Sequence, residues 1–255
     1  LLAAAMLLTI AASAEVIPAN DSRVTYVGRT LVEGTDVSFD WTATYFRIAF
    51  SGKSLTMKAS ETKWDADADK AATRHNYYNV WIDSPTSAEP HRIIEVAGND
   101  TVIELIDPAY LKKSRRAVHE VIVQKRTEGE QGKTTVHEFA TDGKFFQAEP
   151  LKVRQLEFIG DSYTCGYGID AQSRKERFTP ETENASRSYA GIVSRYFGAD
   201  YVAIAHSGMG IARNYNSKFK GWWMPDRYLQ TFDEDSTQVT RWDATQSDFH
   251  PAMTI

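Results

Sequence analysis

The architecture of this chain is inferred first from Leu156-Glu-Phe-Ile159-Gly160-Asp161-Ser162-Tyr-Thr-Cys165-Gly166-Tyr-Gly168. An apolar run stops abruptly at Gly160, which is typical of a buried strand that opens into a tight turn. In open α/β sheets, reactive groups lie at the carboxyl ends of strands. Ser162 would be held there by a rigid strand with its hydroxyl exposed. This position suits a nucleophilic serine, because nearby backbone N–H groups can stabilise a developing oxyanion.

Two other motifs match this stretch less well. A P-loop has four residues between its glycines and then Lys-Ser/Thr, whereas five residues separate Gly160 from Gly166 here. The elbow of α/β hydrolases is Gly-x-Ser-x-Gly, and Thr164 stands in place of its second glycine. The tripeptide that ends at Ser162 also allows an ordinary turn with an incidental serine.

The segments that follow predict a strand–helix–strand unit. A helix is expected from Ser186, its N-cap, to Gly198, its stop. Its apolar positions have helical spacing and are expected to form the buried face: Tyr189, Ile192, Val193, Tyr196 and Phe197. Residues 201–205 form the next buried strand. Because the two strands of such a unit are parallel, they end at the same edge of the sheet, and we expect Ser162 and Gly208 to lie close together.

Two motifs carry a resemblance to a known family. The sequence Gly-Asp-Ser-x-Thr-x-Gly-Tyr-Gly at 160–168 resembles the first motif block of the SGNH (GDSL-type) hydrolases. Ala205-His-Ser-Gly208-Met-Gly-Ile-Ala-Arg-Asn-Tyr215 resembles their second block. The resemblance implies that Ser162 is the nucleophile, and that the backbone N–H groups of Ser162 and Gly208 contribute to the oxyanion hole.

The combination of motifs is most similar to carbohydrate esterase family two, whose members place a β-sandwich before the SGNH domain. The resemblance runs from about residue 20 to the end, with both ends expected to be truncated. It implies an N-terminal all-β, jelly-roll-like sandwich over residues 20–150 and the first part of a flavodoxin-like α/β SGNH domain over 151–255. It further implies a serine acetyl esterase that acts on plant cell-wall polysaccharide, of xylan or mannan type, through an acetyl-enzyme and without a metal or organic cofactor.

The amino-acid composition excludes several classes of function for this chain. Of the 255 residues, 42% are hydrophobic, and the net charge is −5. No basic patch stands out, so nucleic acid is not an expected partner. Cys165 is the one cysteine, which excludes an intrachain disulfide, and without a thiolate-stabilising neighbour it is expected to be a small buried filler. No His-Glu-x-x-His or similar spacing occurs, so no metal site is predicted.

Residues 1–14 are expected to be the remnant of a signal peptide. They are apolar, too short to span a bilayer, and end in Ala12-Ser-Ala14, a small-x-small cleavage pattern. We therefore expect a secreted or periplasmic protein. No later stretch is long and apolar enough to predict a transmembrane helix.

Residues 24–150 show the sequence pattern that is typical of a β domain. Residues 46–50 and 55–59 alternate in polarity around a Ser-Gly-Lys turn and are expected to form a hairpin. Further strands are expected at residues 77–82, 91–96, 101–106, 117–125 and 134–139. Many short strands separated by turn residues indicate a sandwich or jelly roll.

For several tryptophans, the sequence allows either a binding role or a structural one, and several polar segments are expected to be loops. Trp41, Trp64 and Trp81 could stack on sugar rings, but the favoured interpretation is that they fill the sandwich core or its rim. Trp222 and Trp223 either line an acyl or sugar pocket or belong to a packed loop. The polar segments at residues 61–74, 170–183 and 233–235 are expected to be solvated loops.

A nucleophilic serine needs a general base, and the six histidines are considered for that role. His75, His91, His119 and His137 lie in the β half and are expected to be ordinary structural residues, while His206 is expected to pack or to shape the pocket. His250 superficially resembles the Asp/His block near the end of SGNH domains. Residues 251–255, however, match the start of the strand that leads to the third block. The resemblance thus implies that the catalytic histidine and an oxyanion asparagine follow Ile255.

Two other functions remain open at this stage. The chain could be part of a carbohydrate-binding protein whose SGNH half is inactive. It could also belong to a lipid esterase on the same scaffold, although the polar segment 170–183 and the absence of a long apolar lid in the sequence disfavour this.

Overall fold

The computed structural model describes residues 14–63, 75–216, 222–234 and 240–255. Residues 1–13 of the expected signal-peptide remnant at 1–14 lie outside the described residues, as do Trp64 and Asp235. Within the described part of the chain, no helix has the length and apolar character needed to cross a membrane.

Two antiparallel sheets occupy the first part of the chain, and we call them together the sandwich. The first sheet contains β1 (Glu15–Pro18), β3 (Leu31–Glu33), β4 (Asp36–Phe39), β6 (Leu55–Thr62), β9 (Thr101–Glu104) and β11 (Lys133–Thr141). The second contains β2 (Thr25–Val27), β5 (Tyr45–Phe50), β7 (Asn76–Ile82), β8 (Arg92–Val96), β10 (His119–Lys125) and β12 (Phe145–Phe146). The strands expected between residues 77 and 139 are therefore present, with small shifts at their ends.

The expected hairpin between residues 46–50 and 55–59 is wrong. β5 pairs with β10, β12 and β2, whereas β6 pairs with β11 and β9. The turn between them crosses from one sheet to the other. The apolar faces of the two strands meet in the core between the sheets, where Phe46 and Met57 are both buried. Alternation of polar and apolar residues predicts that a segment is a strand with an apolar face, but it does not identify the strand with which it pairs.

β5 is buried along its whole length because both of its faces are covered. Phe46, Ile48 and Phe50 belong to the sandwich core. Tyr45 and Arg47 point the other way, and both form hydrogen bonds with the Asp200 carboxylate. The second sheet is thus the middle layer between the first sheet and a third one.

The third sheet is parallel and begins with the strand expected before Gly160. It contains β13 (Gln155–Gly160), β14 (Asp200–Ala205) and β15 (Met253–Thr254), in the order β14-β13-β15. We call residues 155–255 the α/β unit. Short helices accompany the sheets: α1 (Pro108–Leu111), α2 (Ser162–Cys165), α3 (Tyr189–Tyr196) and α4 (Met224–Tyr228), with 3-10 turns at Gly129–Gln131, Pro180–Thr182, Ala185–Arg187 and Ala244–Gln246.

Helix α3 begins later than expected and packs by a different face. A 3-10 turn occupies Ala185–Arg187, and Ser188 rather than Ser186 precedes the helix. Gly198 ends it with a φ of 60°. The small residues Ala190, Gly191 and Ser194 face inward. The expected inward-facing positions are largely exposed: Tyr189, Ile192, Tyr196 and Phe197. Small side chains let the helix backbone approach the layer below it, which hydrophobic periodicity does not reveal.

Two sandwich tryptophans are core residues, as favoured. Trp41 and Trp81 are 0% and 2% exposed, so neither offers a face to a sugar. The indole N–H of Trp81 donates to the carbonyl oxygen of Ala88 at 2.9 Å.

Candidate active site

Ser162 lies directly beyond the carboxyl end of β13 and is the first residue of α2. Asp161 caps this helix, since its carboxylate accepts a hydrogen bond from the N–H of Tyr163 at 3.1 Å. The sharp turn requires Gly160, because a Cβ there would lie 2.0 Å from Oγ1 of Thr164. Ser162 itself is half-buried. The local chain therefore presents this serine at the edge of the parallel sheet.

The Gly208 loop begins beside this turn. β13 and β14 pair in parallel with Gly160 opposite Ala205, and the N–H of His206 donates to the carbonyl oxygen of Gly160 at 3.3 Å. Gly208 follows three residues after Ala205, with a φ of 77° that favours glycine. The loop that carries Gly208 and the turn that carries Ser162 thus leave neighbouring strands at the same edge. The catalytic roles of the two residues remain predictions.

Cys165 closes helix α2 and is fully buried, as expected of a filler. Burial raises the pKa of its thiol well above the ordinary value, and the nearby Glu128 carboxylate adds to the shift. The Cys165 sulfur lies 3.8 Å from Oε2 of Glu128. A neutral thiol in this position is not a competing nucleophile.

His206 is buried against the loop that follows α4. Its Nδ1 lies 2.7 Å from Oδ2 of Asp233, and Arg227 donates to the other Asp233 oxygen at 2.6 Å. The expectation that residues 233–235 form a solvated loop is wrong for Asp233, which is 0% exposed. Its N–H donates to the carboxylate of Asp40, directly after β4. Asp233 therefore joins the α/β unit to the sandwich.

Three further buried ionic residues of this region were missed by sequence reasoning: Lys125, Glu128 and Glu183. Lys125 is the last residue of strand β10, and Glu128 follows it in a run of polar residues, which looks like an exposed turn. Glu183 lies at the end of the segment expected to be a solvated surface loop, and for this residue that expectation is wrong. No feature of the sequence distinguishes them from solvated charges, because their burial depends on contact between the sandwich and the α/β unit.

Crowding of these charges shifts their pKa values. Burial together with the Asp233 charge raises the pKa of Asp40 to about 7. Burial lowers the pKa of Lys125 to about 8 against the attraction of Asp40. Burial opposes the charge of His206, but Asp233 outweighs it and raises the histidine pKa to about 9. His206 is accordingly a protonated, ion-paired residue at neutral pH and is not a free base for Ser162.

Two triads in the described residues have atoms spaced for a cation. Glu128, Cys165 and Glu183 form one, and His206, Asp233 and Glu234 form the other, each with one potential ligand atom per residue within 4.8 Å. In the second triad the Arg227 guanidinium already donates to Asp233 and Glu234. The basic side chains that face these carboxylates supply positive charge within the protein itself. The prediction that the site uses no metal stays a prediction.

His250 lies at the wrong edge of the sheet to serve Ser162. β15 pairs in parallel with β13, with Met253 opposite Leu156, so His250 is level with the amino end of β13. At about 3.3 Å per residue, the length of β13 separates it from Ser162 by roughly 20 Å or more. The expectation that residues 251–255 lead into a strand is confirmed. His119 and His137 pair with Asp83 and Asp36 in the sandwich.

The paired tryptophans lie in a packed loop. The Arg227 guanidinium stacks 4.0 Å from the ring centroid of Trp222, whose φ is 52°. The N–H of Trp223 donates to Asp226 at the start of α4. Both indoles are half-buried, and for Trp222 the packed-loop alternative is favoured.

Comparison with known proteins places these features in a family context. Residues 26–150 match the family described as carbohydrate esterase 2 N-terminal. An acetylxylan esterase / glucomannan deacetylase from Cellvibrio japonicus (strain Ueda107) is 32% identical over 200 residues, which are 74% of this chain and 48% of that protein. The chain thus spans about half the length of this curated relative.

Two solved structures share the arrangement of the chain. A family two carbohydrate esterase from Cellvibrio japonicus has a TM-score of 0.80 at 23% identity, over 95% of this chain and 66% of that one. A family two carbohydrate esterase from Clostridium thermocellum, solved in complex with cellohexaose, has a TM-score of 0.75 at 26% identity, over 91% and 64% of the two chains. The fold is therefore shared beyond the segment matched by the family.

Proposed function

This chain resembles SGNH-type hydrolases of carbohydrate esterase family two, and from that premise we propose that it is part of a secreted serine esterase. The proposed reaction is removal of acetyl groups from plant cell-wall polysaccharide of xylan or mannan type. One observation carries the proposal: the Gly160-Asp-Ser162 turn and the Gly208 loop leave adjacent parallel strands at the same edge. The substrate class rests on the relative named acetylxylan esterase / glucomannan deacetylase.

In the proposed reaction, Oγ of Ser162 attacks the acetyl carbonyl carbon while a general base takes its proton. The oxyanion accepts hydrogen bonds from the N–H groups of Ser162 and Gly208. The tetrahedral intermediate collapses to an acetyl-enzyme as the sugar hydroxyl leaves with a proton, and water then releases acetate. The base and a third oxyanion donor are the histidine and asparagine expected after Ile255.

The local structure suits such a site because its donors need little rearrangement. Ser162 opens a capped helix, so its N–H is one of those that have no partner within the helix. Gly208 has a φ of 77°, a backbone conformation that favours glycine. Donors fixed before the reaction stabilise charge at low reorganisation cost.

The finer architecture belongs to the same proposal. We infer a jelly-roll-like sandwich that ends at about residue 150, with β1 lying before the expected start at residue 20. We also infer a flavodoxin-like SGNH domain that begins at residue 151. The order β14-β13-β15, with the first strand in the centre, supports the second part. Export through a signal peptide at residues 1–14 remains a prediction.

The test uses the full-length protein and its Ser162→Ala variant. We expect acetate release from acetylated xylan and glucomannan by the wild type, and a fall in kcat of about 10⁴-fold or more in the variant. Ser173→Ala, which removes the same hydroxyl from an exposed loop residue, is the matched control and should retain wild-type kcat. A Ser162→Ala protein within tenfold of wild type would refute the proposal.

The same assays separate the alternatives. Binding to xylan or mannan without acetate release by the wild type would favour a non-catalytic binding protein. Nitrophenyl esters of increasing chain length distinguish an acetyl esterase, which should prefer the acetate, from a lipid esterase, which should prefer long acyl chains.

A further inference from the structure

One carboxylate of the sandwich reaches beneath both elements of the candidate site. Glu128 follows β10 and is 0% exposed. Its Oε2 accepts a hydrogen bond from the N–H of Ser207 at 2.6 Å, and the Cys165 sulfur lies 3.8 Å from the same oxygen. Ser207 directly precedes Gly208, and Cys165 closes the helix that Ser162 opens.

We propose that Glu128 is a positioning residue that sets the separation of the Ser162 and Gly208 amides. This inference rests on the proposed function, because it assigns the sandwich a part in building the oxyanion hole of that reaction. The sandwich would then act on catalysis through a contact at the back of the site, without touching the substrate.

Glu128 is itself held by contacts on each side. Its N–H donates to Oε2 of Glu183 at 3.0 Å, and its carbonyl oxygen accepts from Nζ of Lys125 at 2.9 Å. The next residue, Gly129, allows the Asp233 loop to approach, since a Cβ there would lie 2.4 Å from Oδ2 of Asp233. Because the backbone of Glu128 is fixed by these contacts, its carboxylate can hold the Ser207 N–H in a defined position.

The groups around Glu128 act on its carboxyl in opposite directions. Burial raises the pKa of this carboxyl, while His206, whose Nδ1 lies 3.9 Å from Oε2, and the Ser207 N–H act in the opposite direction. The other charged groups that face it are Glu130, Glu183 and Lys125. The net effect is a pKa above the ordinary value. The hydrogen bond from the Ser207 N–H is short, at 2.6 Å, so the geometry of this contact is closely defined.

The opposite end of strand β14 offers a matched control. Asp200 is also a fully buried carboxylate that crosses to the sandwich, where it binds Tyr45 and Arg47. It lies at the amino end of the strand, away from Ser162. Asp200→Asn therefore disturbs the same interface without touching the elements that carry the two amides.

The experiment compares four variants of the full-length protein by their kcat and KM for 4-nitrophenyl acetate. Glu128→Leu removes the acceptor, and we expect kcat to fall about 30-fold while KM stays within threefold of wild type. This fall in kcat is smaller than the roughly 100-fold or more that follows deletion of an oxyanion donor. Glu128→Asp, with a shorter reach, should lose about tenfold, and Glu128→Gln, which keeps an acceptor oxygen, should stay within about threefold. Asp200→Asn should retain kcat within about twofold while its Tm falls.

Three results would overturn the inference. These are a Glu128→Leu kcat within threefold of wild type, a Glu128→Gln kcat as low as that of the leucine variant, and an equal loss in Asp200→Asn. The last result would mean that the Glu128 contact affects kcat only through the overall stability of the protein. If Glu128→Leu does not fold, the aspartate and glutamine variants decide by the same criteria.

Amide hydrogen exchange separates this inference from the proposed function. Faster exchange in the segment 206–210 of Glu128→Asp, and not of Asp200→Asn, supports the contact even if the wild type hydrolyses no ester. Unchanged exchange in both variants refutes the contact, whereas an inactive wild type refutes only the proposed reaction.

Discussion

The two ends of strand β14 both join the α/β unit to the sandwich, but their charges balance differently. At the amino end, Asp200 meets Arg47, with Tyr45 as a further donor. Arg47 also lies 3.8 Å from the exposed carboxylate of Glu149, so one buried acid meets one buried base here. At the carboxyl end the acids outnumber the bases among the residues that the structure describes. The side chains involved are Asp40, Glu128, Glu183, Asp233 and Glu234 with Lys125, His206 and Arg227.

The difference supports the proposed placement of the reaction at the carboxyl end of the strand. A balanced pair holds two layers together and needs nothing more. An excess of buried acid forces protons onto some groups and shifts pKa values, as for Asp40 and His206. Shifted pKa values cluster at functional sites, and this cluster lies behind the Ser162 turn and the Gly208 loop. The following predictions test that contrast.

The largest stability effect is expected from Asp233→Asn. Asp233 neutralises both His206 and Arg227 in a dry environment, so removing its charge should lower the free energy of unfolding by about 3–5 kcal/mol. Denaturant titration of the full-length protein measures this. Asp226→Asn, a half-buried carboxylate on the same segment, is the control and should cost about 1 kcal/mol. A loss below 1 kcal/mol for Asp233→Asn would contradict the role of this network.

A smaller effect is expected from the titration of His206. Its pKa is raised to about 9 in the folded protein, against about 6.5 when unfolded. The stabilisation from the charged ring is therefore complete below pH 6.5 and is lost as pH rises through about 9. The difference in free energy of unfolding between wild type and His206→Asn should shrink across this range.

The variant is needed because other groups titrate nearby. Lys125, with a pKa lowered to about 8, makes stability rise with pH above that value, and Asp40 loses its proton around pH 7. Subtracting the His206→Asn curve from that of the wild type removes most of both contributions. Asp200→Asn should leave the His206 contribution unchanged, and its disappearance in that variant would show that the two ends are coupled.

The smallest stability effect is expected at the two glycines that flank β14. Gly198 and Gly208 have φ values of 60° and 77° with room for a Cβ. Alanine at either position should cost about 1 kcal/mol through backbone strain. Thermal unfolding measures this cost for each. Only Gly208→Ala should also lower kcat. Alanine keeps the backbone N–H, but strain at a φ of 77° would displace this amide, which is proposed to donate to the oxyanion. Equal kcat values in the two variants would contradict that role.

Local sequence patterns were sufficient for most of the strands and for the parallel pairing of β13 with β14. Strand propensity, the stop at Gly160 and the strand–helix–strand rule need only neighbouring residues. The same patterns failed where packing partners matter. β5 and β6 alternate as a hairpin would, yet they face each other from different sheets. Helix α3 has a convincing apolar face, yet it packs by Ala190, Gly191 and Ser194.

The sequence by itself determined that Ser162 and Gly208 lie just after the ends of their strands, since a turn after a short buried run is a local property. Only the tertiary structure decided that Glu128, Glu183 and Asp233 are buried together behind them. A charged residue in a polar segment is solvated or buried according to what lies over it, and here that cover comes from a separate part of the chain. Burial then sets the strength and the protonation of each contact, which no single segment encodes.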